Sequence, residues 1–393
     1  MAQTTGTGNQ SKTLMTARTY FLLFLMMTFA SVASLQAATQ VKKPGKSYQA
    51  PYRSHWVSMI KKGKFFKYKR SEFSSPRVSD DRVFTGADSG YFFAVNKKTG
   101  RKLWRFKAAS SINSAPGILS DRVFFGDDKG NFYALATQDG KLLWQVNLGA
   151  EISSAPALAG NSVYVATLEG KVVALDMENG ATRWEVEPTS AVNSMSLLGN
   201  STPVLSANAD RLFVGFADGT LRCFASNSGK IAWEKSLREA GVRFSDLDAT
   251  PLIESDRLYL STVSGPTVAL SLKDGKMLWQ QPMGSAVSMS LGGDQLYLSS
   301  WEGVVYALNK RDGSKIWERK LAGGALTAPV VYGSSVAVGI SSKGIHFLDI
   351  QTGDVKAKRY AAHGLSSDPV LDGSDLYYFS NGGRLFSLKL IPY

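Results

Sequence analysis

A single cysteine, Cys223, and only three histidines stand among the 393 residues. One thiol excludes an intrachain disulfide and any redox chemistry by a cysteine pair. His55, His346 and His363 are scattered along the chain with no second ligand at metal spacing, so no metal site is expected. No phosphate loop, dinucleotide fingerprint, G-x-S-x-G elbow or H-E-x-x-H occurs, and no cofactor is expected. Acidic residues are missing from one stretch: residues 41–70 hold ten Lys and Arg and no Asp or Glu. With Lys12 and Arg18 also set aside, the net charge of +13 leaves +1 for residues 71–393. A nearly neutral body lacks the basic face that nucleic-acid binding requires. The basic arm suits an anionic membrane surface or an acidic partner, and a plain solvated tail fits it as well.

Long apolar runs are equally scarce. The one that stands out, YFLLFLMMTFASVA at 20–33, has fourteen residues, too few to span a bilayer comfortably. Lys12 and Arg18 precede it and small residues at 34–38 follow, which is the pattern of a secretory signal peptide. The expected organisation is a signal peptide over 1–37, a basic linker over 38–54 and a single domain over 55–393.

What is abundant is repetition. A module of about forty residues ends in G-x-x-x-W six times, at Trp104, Trp144, Trp184, Trp233, Trp279 and Trp317. A seventh copy at Gly353 has Ala357 in place of the tryptophan. The central pattern of the module, as in VYVATLEGKVVALD at 163–176, occurs eight times, near Val83, Val123, Val163, Leu212, Leu258, Leu296, Val336 and Leu376. Short runs alternate apolar and polar residues between Gly, Asn, Asp and Ser, which is strand periodicity with turn chemistry. One module accommodates four strands, around 155–158, 162–166, 171–176 and 182–186. Modules of four antiparallel strands that cannot bury both faces alone predict an all-β, eight-bladed β-propeller. The eighth module reaches the C-terminus without its last strand, so an N-terminal segment is expected to close the ring. Gly63-Lys-Phe-Phe-Lys-Tyr68 is the expected closing strand, because it resembles Gly140-Lys-Leu-Leu-Trp-Gln-Val146.

The recurring tryptophans are expected to pack blades rather than to perform chemistry. Cys223 falls in the slot held by Ala134, Ala174 and Ala307, a small buried position. Departures from the repeat are the better functional signal. From each Trp to the proline opening the next module the distance is twelve residues for Trp104, Trp144 and Trp317. It is nineteen from Trp184 to Pro203 and eighteen from Trp233 to Pro251. Equivalent connections emerge on one face of a propeller, so these two enlarged loops are neighbours and form a candidate partner-binding surface. The first carries Met195, Leu197 and Leu198, and the second carries Arg243, Asp246 and Asp248. Apolar residues flanked by charge fit an interface; loops that only cap their blades fit the spacing too.

The G-[KR]-x-x-W module with Tyr-Ala-Leu before it resembles the pyrroloquinoline-quinone-type propeller repeat. Two groups carry that repeat: quinone-dependent dehydrogenases and the BamB family of the outer-membrane β-barrel assembly machinery. The single cysteine sets this chain apart from the eight-bladed quinone enzymes, which use adjacent cysteines. Trp301 is the one oddly placed tryptophan that suggests the oxidoreductase alternative. Phe244-Ser-Asp246-Leu-Asp248-Ala-Thr-Pro251 and Met195-Ser-Leu197-Leu198-Gly-Asn-Ser-Thr-Pro203 are similar to two BamB segments. The resemblance implies a non-catalytic periplasmic scaffold that binds the POTRA domains of the barrel-inserting subunit and assists unfolded outer-membrane proteins. In the family an arginine stands at the position of Leu198, and a lipidated cysteine at the position of Ala38. The expectation is then a form held at the outer membrane by its partner, with the 41–70 arm contacting anionic lipid.

Overall fold

The computed structural model describes residues 50–60, 72–188, 201–238, 246–247, 249–283, 286–321, 323–361 and 363–392. No helix occurs among them, and their strands form eight four-stranded antiparallel sheets. Blades 1 to 7 are continuous in sequence, at 77–107, 117–147, 157–186, 204–236, 252–281, 286–320 and 330–360. Blade 8 takes three strands from 370–390, and its fourth is β1, Tyr52–Met59. The first strands of blades 8 and 1 are in contact, as are those of blades 1 and 2, so the ring is closed.

Each blade follows one gradient of burial. Its second and third strands are buried on both faces, as in Arg122–Gly126 and Asn131–Ala136 of blade 2. Such strands read as near-continuous apolar runs because neither face meets water. The fourth strand is the outer edge and alternates exposed and half-buried residues, as in Lys102–Lys107.

A size rule runs across strands two, three and four. Phe84, Ala94 and Trp104 stand opposite one another in blade 1, as do Phe124, Ala134 and Trp144 in blade 2. Blades 3, 5 and 6 repeat large, small, large with Tyr164-Ala174-Trp184, Tyr259-Ala269-Trp279 and Tyr297-Ala307-Trp317. Cys223 is the small member of blade 4, between Phe213 and Trp233. Each indole also leans on the next blade: a Cβ at Gly140 would lie 2.5 Å from Trp104 Cε3, and one at Gly180 2.8 Å from Trp144 Cε3. The Trp104, Trp144, Trp184, Trp279 and Trp317 N–H groups donate to Thr137, Met177, Ser226, Lys310 and Ile350 carbonyls in those neighbouring blades.

The closing strand corrects the sequence expectation. It is 52–59, whereas Gly63–Tyr68 lies outside the described residues. The reason is Trp56, which fills the tryptophan slot of blade 8 opposite Ser387 and Tyr377 and donates 2.9 Å to the Lys97 carbonyl of blade 1. The segment 63–68 has no tryptophan to offer. Closure also draws on Tyr52, so the folded unit begins at Ala50 and not at His55.

Blade 7 inverts the rule to small, large, small: Ala337, Phe347 and Ala357. Its neighbour, blade 8, has no glycine turn to receive an indole, because its third and fourth strands are the two ends of the propeller. There Ile391 N–H donates to the Pro51 carbonyl at 2.9 Å. Phe347 stacks instead on Tyr52 of β1, with ring centroids 4.9 Å apart.

Candidate functional site

Every connector from a fourth strand to the next blade's first strand lies on the same face as the turns between strands two and three. The ordinary connectors share one wiring. Ile112, Ile152 and Leu365 are buried, and their N–H groups donate to Ala87, Asp127 and Ile340 carbonyls of the preceding blade's turn. Two residues later Ser114, Ser154 and Ser367 each donate a side-chain hydrogen bond to a second-strand carbonyl.

The enlarged connectors rejoin this wiring at their far ends. In the first, Ser201 accepts the Gly215 N–H at 2.7 Å, the position of Ser114 in blade 2. In the second, Leu247 takes the place of Ile112: it is fully buried, and its N–H donates to the Phe216 carbonyl at 3.3 Å. The extra residues therefore lie before 201 and before 246, within stretches flanked by fixed anchors.

Of the residues expected to bind a partner, Met195, Leu197, Leu198, Arg243 and Asp248 lie outside the described residues. Asp246 is described, and it is 1% exposed. Its carbonyl accepts the Val263 N–H at 3.0 Å, tying the connector to the turn of blade 5. Asp246 is thus built into the propeller face.

Sequence reading missed the group between these two connectors. Phe216 is buried in the turn of blade 4, with Arg222 packed over its ring at 4.4 Å. Arg222 is 8% exposed, and its guanidinium pairs with Asp218 at 3.1 Å and Glu234 at 3.3 Å. A buried guanidinium with two carboxylates and an aromatic face has its charge and donors satisfied together. The signal was in the repeat: the position of Arg222 holds Phe93, Val173, Val268 and Phe386 elsewhere. A third enlargement was also legible once Trp56 is recognised, since Trp56 to Pro76 spans twenty residues.

Further round the same face, Trp301 sits 39% exposed in the turn of blade 6. Asp127 accepts the Tyr133 hydroxyl at 2.9 Å, and burial of that hydroxyl pushes it up to about 12. Burial also raises the Asp128 and Glu151 carboxyls, Glu151 with Asp128 as a charged neighbour. Among the described residues no group of three or more His, Cys, Asp or Glu gathers where a metal ion could sit.

Comparison with known proteins agrees with that geometry. The chain is 29% identical over 203 residues to the outer membrane protein assembly factor BamB of Legionella pneumophila, covering 50% of this chain and 52% of that one. It is 30% identical over 203 residues to the BamB of Pseudomonas aeruginosa, covering 50% and 53%. The matched stretch spans about half the length of these curated relatives. Among solved structures, BamB from Moraxella catarrhalis superposes with a TM-score of 0.75 at 23% identity, covering 86% of this chain and all of that one. A europium-containing methanol dehydrogenase superposes with a TM-score of 0.71 at 12% identity, covering 86% and 93%, a likeness of fold alone. The profile of the family described as outer membrane protein assembly factor BamB matches residues 56–130 and 88–319, and this chain belongs to that family.

Proposed function

We propose that this chain is a non-catalytic scaffold of the outer-membrane β-barrel assembly machinery, working on the periplasmic side of that membrane. It docks the POTRA domains of the barrel-inserting subunit on the face carrying the 187–203 and 237–251 connectors, and it assists assembly of unfolded outer-membrane proteins. The observation that carries this reading is the pairing of two enlarged connectors on successive blades, each anchored to a closed ring at its far end. Connectors whose ends are fixed in this way lose less ordering entropy on docking than free segments would. Met195, Leu197 and Leu198 supply apolar contact, Arg243 and Asp248 supply charge, and Asp246 holds the second connector in place.

Calorimetric titration of residues 39–393 with the POTRA region from the same organism tests the reading. Asp248→Ala should weaken binding with the melting temperature unchanged, whereas Asp246→Ala should lower both. No binding by the unmutated protein at concentrations up to about 100 μM, the range of weak specific interfaces, would reject it. The basic residues Lys42, Lys43 and Lys46 ahead of the closing strand, with Ala38 at the family's lipidation position, add contact with anionic lipid. Removing 41–49 should lower sedimentation with anionic vesicles at low salt and change nothing at high salt, where such attraction is screened.

A further inference from the structure

We propose that Arg222, seated on Phe216, is the positioning residue that fixes the anchors of both enlarged connectors in one docking geometry. The inference rests on the reading that these connectors form the docking face. Phe216 is bonded to the second connector and shares a neighbour, Gly170, with the start of the first. On one side, a Cβ at Gly170 of blade 3 would lie 3.5 Å from Pro188, the start of the first connector, and 3.7 Å from Phe216 Cδ1. On the other side, the Phe216 carbonyl accepts the Leu247 N–H of the second connector at 3.3 Å. The same carbonyl accepts the Gly219 N–H at 3.0 Å, so the turn 216–219 is closed on itself. Leu247 in turn packs over Gly215, where an added Cβ would come within 2.7 Å of Leu247 Cβ.

Arg222 holds this turn from below. It stands opposite Val214 and Glu234 in the sheet, on the strand leaving the turn. Its guanidinium covers the Phe216 ring at 4.4 Å and reaches Asp218 at 3.1 Å, while Asp218 accepts the Thr220 N–H at 2.8 Å. Glu234, on the outer strand, takes the guanidinium Nε at 3.3 Å. One planar cation therefore clamps the ring, the turn and the outer strand at once, a geometry an ammonium reproduces only in part. Blade 2 couples the equivalent pair differently, through the 2.9 Å bond from Tyr133 to Asp127. The charged clamp is the version found between the two enlarged connectors.

Two measurements on the full chain decide the matter. Exchange of the Leu247 amide, followed by mass spectrometry of the free protein, reports the anchor without any partner. Arg222→Met keeps the apolar stem and should speed that exchange about tenfold, from loss of the partly buried cation–π contact. Arg222→Lys should fall between Met and the unmutated chain. Phe216→Leu, which keeps apolar volume and removes the ring face, should speed exchange as well, and it stands in if Arg222→Met does not fold. Unchanged Leu247 exchange in folded Arg222→Met or Phe216→Leu overturns the proposal. In the second measurement, Arg222→Met should weaken POTRA binding about tenfold with a melting temperature close to that of the unmutated protein. Its effect should be non-additive with Asp248→Ala, as expected of groups acting through one geometry. Additive effects would refute positioning. If the unmutated chain does not bind POTRA domains, the proposed function fails, and the exchange measurement still decides the role of Arg222.

Discussion

The ring is held by indoles that lean on glycines, and Gly140→Ala measures that contact directly. Gly140 has φ +75°, so any side chain there adopts the left-handed region at a cost of about 1–2 kcal/mol. Its Cβ would also arrive 2.5 Å from Trp104 Cε3 and 2.7 Å from Cδ2. Carbon atoms rest at about 3.5–4 Å, so the turn and the indole must part by about 1 Å. The indole is held by its bond to Thr137, and the glycine by the 3.0 Å bond from its N–H to the Ala136 carbonyl. Overpacking of this kind costs about 1–3 kcal/mol, giving a total of roughly 2–5 kcal/mol. Gly160→Ala is the control: its φ is +55° and nothing lies within 4 Å of its Cβ, so it bears only the strain. At roughly 2 °C per kcal/mol for a domain of this size, calorimetry should show Gly140→Ala falling by about 4–10 °C and Gly160→Ala by about 2–4 °C. Repeating Gly140→Ala in a Trp104→Leu background should shrink its cost to the control's value. Equal losses at the two glycines in the unmutated background would refute the interlock.

The slot at Cys223 should accept Ala within about 1 kcal/mol, whereas Ser should cost about 1–3 kcal/mol, because a buried hydroxyl between Phe213 and Trp233 gives up its water. Burial raises the Cys223 thiol, so it should resist a thiol reagent at pH 8 until the chain unfolds. Burial, with Lys358 and Lys343 nearby, lowers His346 to about 4, against about 6.5 in the unfolded chain. Between those values the unfolded state binds the extra proton, so stability present at pH 7 should be lost as pH falls from about 6.5 to 4, by up to about 3 kcal/mol. His346→Phe, matching Phe93 and Phe386 at the same position of other blades, should flatten that part of a melting-temperature profile. A chain beginning at Ala50 should melt as the full chain does. One beginning at Lys61 loses Trp56 and exposes the edge of Arg384–Leu390, and its cooperative transition should disappear.

The blades were legible because their alternation, turn glycines and tryptophans all repeat in register, and each local choice agrees with the same fold. The closing strand was misplaced because similarity to Gly140–Val146 favoured 63–68, while the deciding residue was the indole of Trp56, which lies outside any G-x-x-x-W motif. Asp246 was grouped with the candidate partner-binding residues, and its burial was not visible, because the repeat spacing shows that a loop is longer without showing where it rejoins the wiring. That information resides in Leu247, whose role as the counterpart of Ile112 becomes visible only through its bond to Phe216. Arg222 looked like an ordinary strand residue, since its partners Asp218, Phe216 and Glu234 are brought together by a turn and a register, not by proximity to one motif.

Departures from the repeat fall into two physical kinds, and the distinction bears on where function resides. Ala357 in place of tryptophan looked in sequence like a decayed copy. In the folded ring it is accompanied by Phe347 one strand inward and Ala337 beyond it, so the blade carries its one large ring in the middle where other blades carry two at the sides. The inversion occurs at the one junction where the neighbouring blade presents chain ends instead of a glycine turn, and Phe347 there stacks on Tyr52. A tryptophan at 357 would have no such turn to lean on. Cys223 and Ser387 are likewise departures absorbed by the small slot they occupy. The enlarged connectors are of another kind: the anchors described at their far ends keep the wiring of ordinary blades. On the proposed function, that added length serves the docking face. The clamp of Arg222 on Phe216 lies beside the Leu247 anchor, which is where a buried charge would be tolerated for geometry rather than for stability.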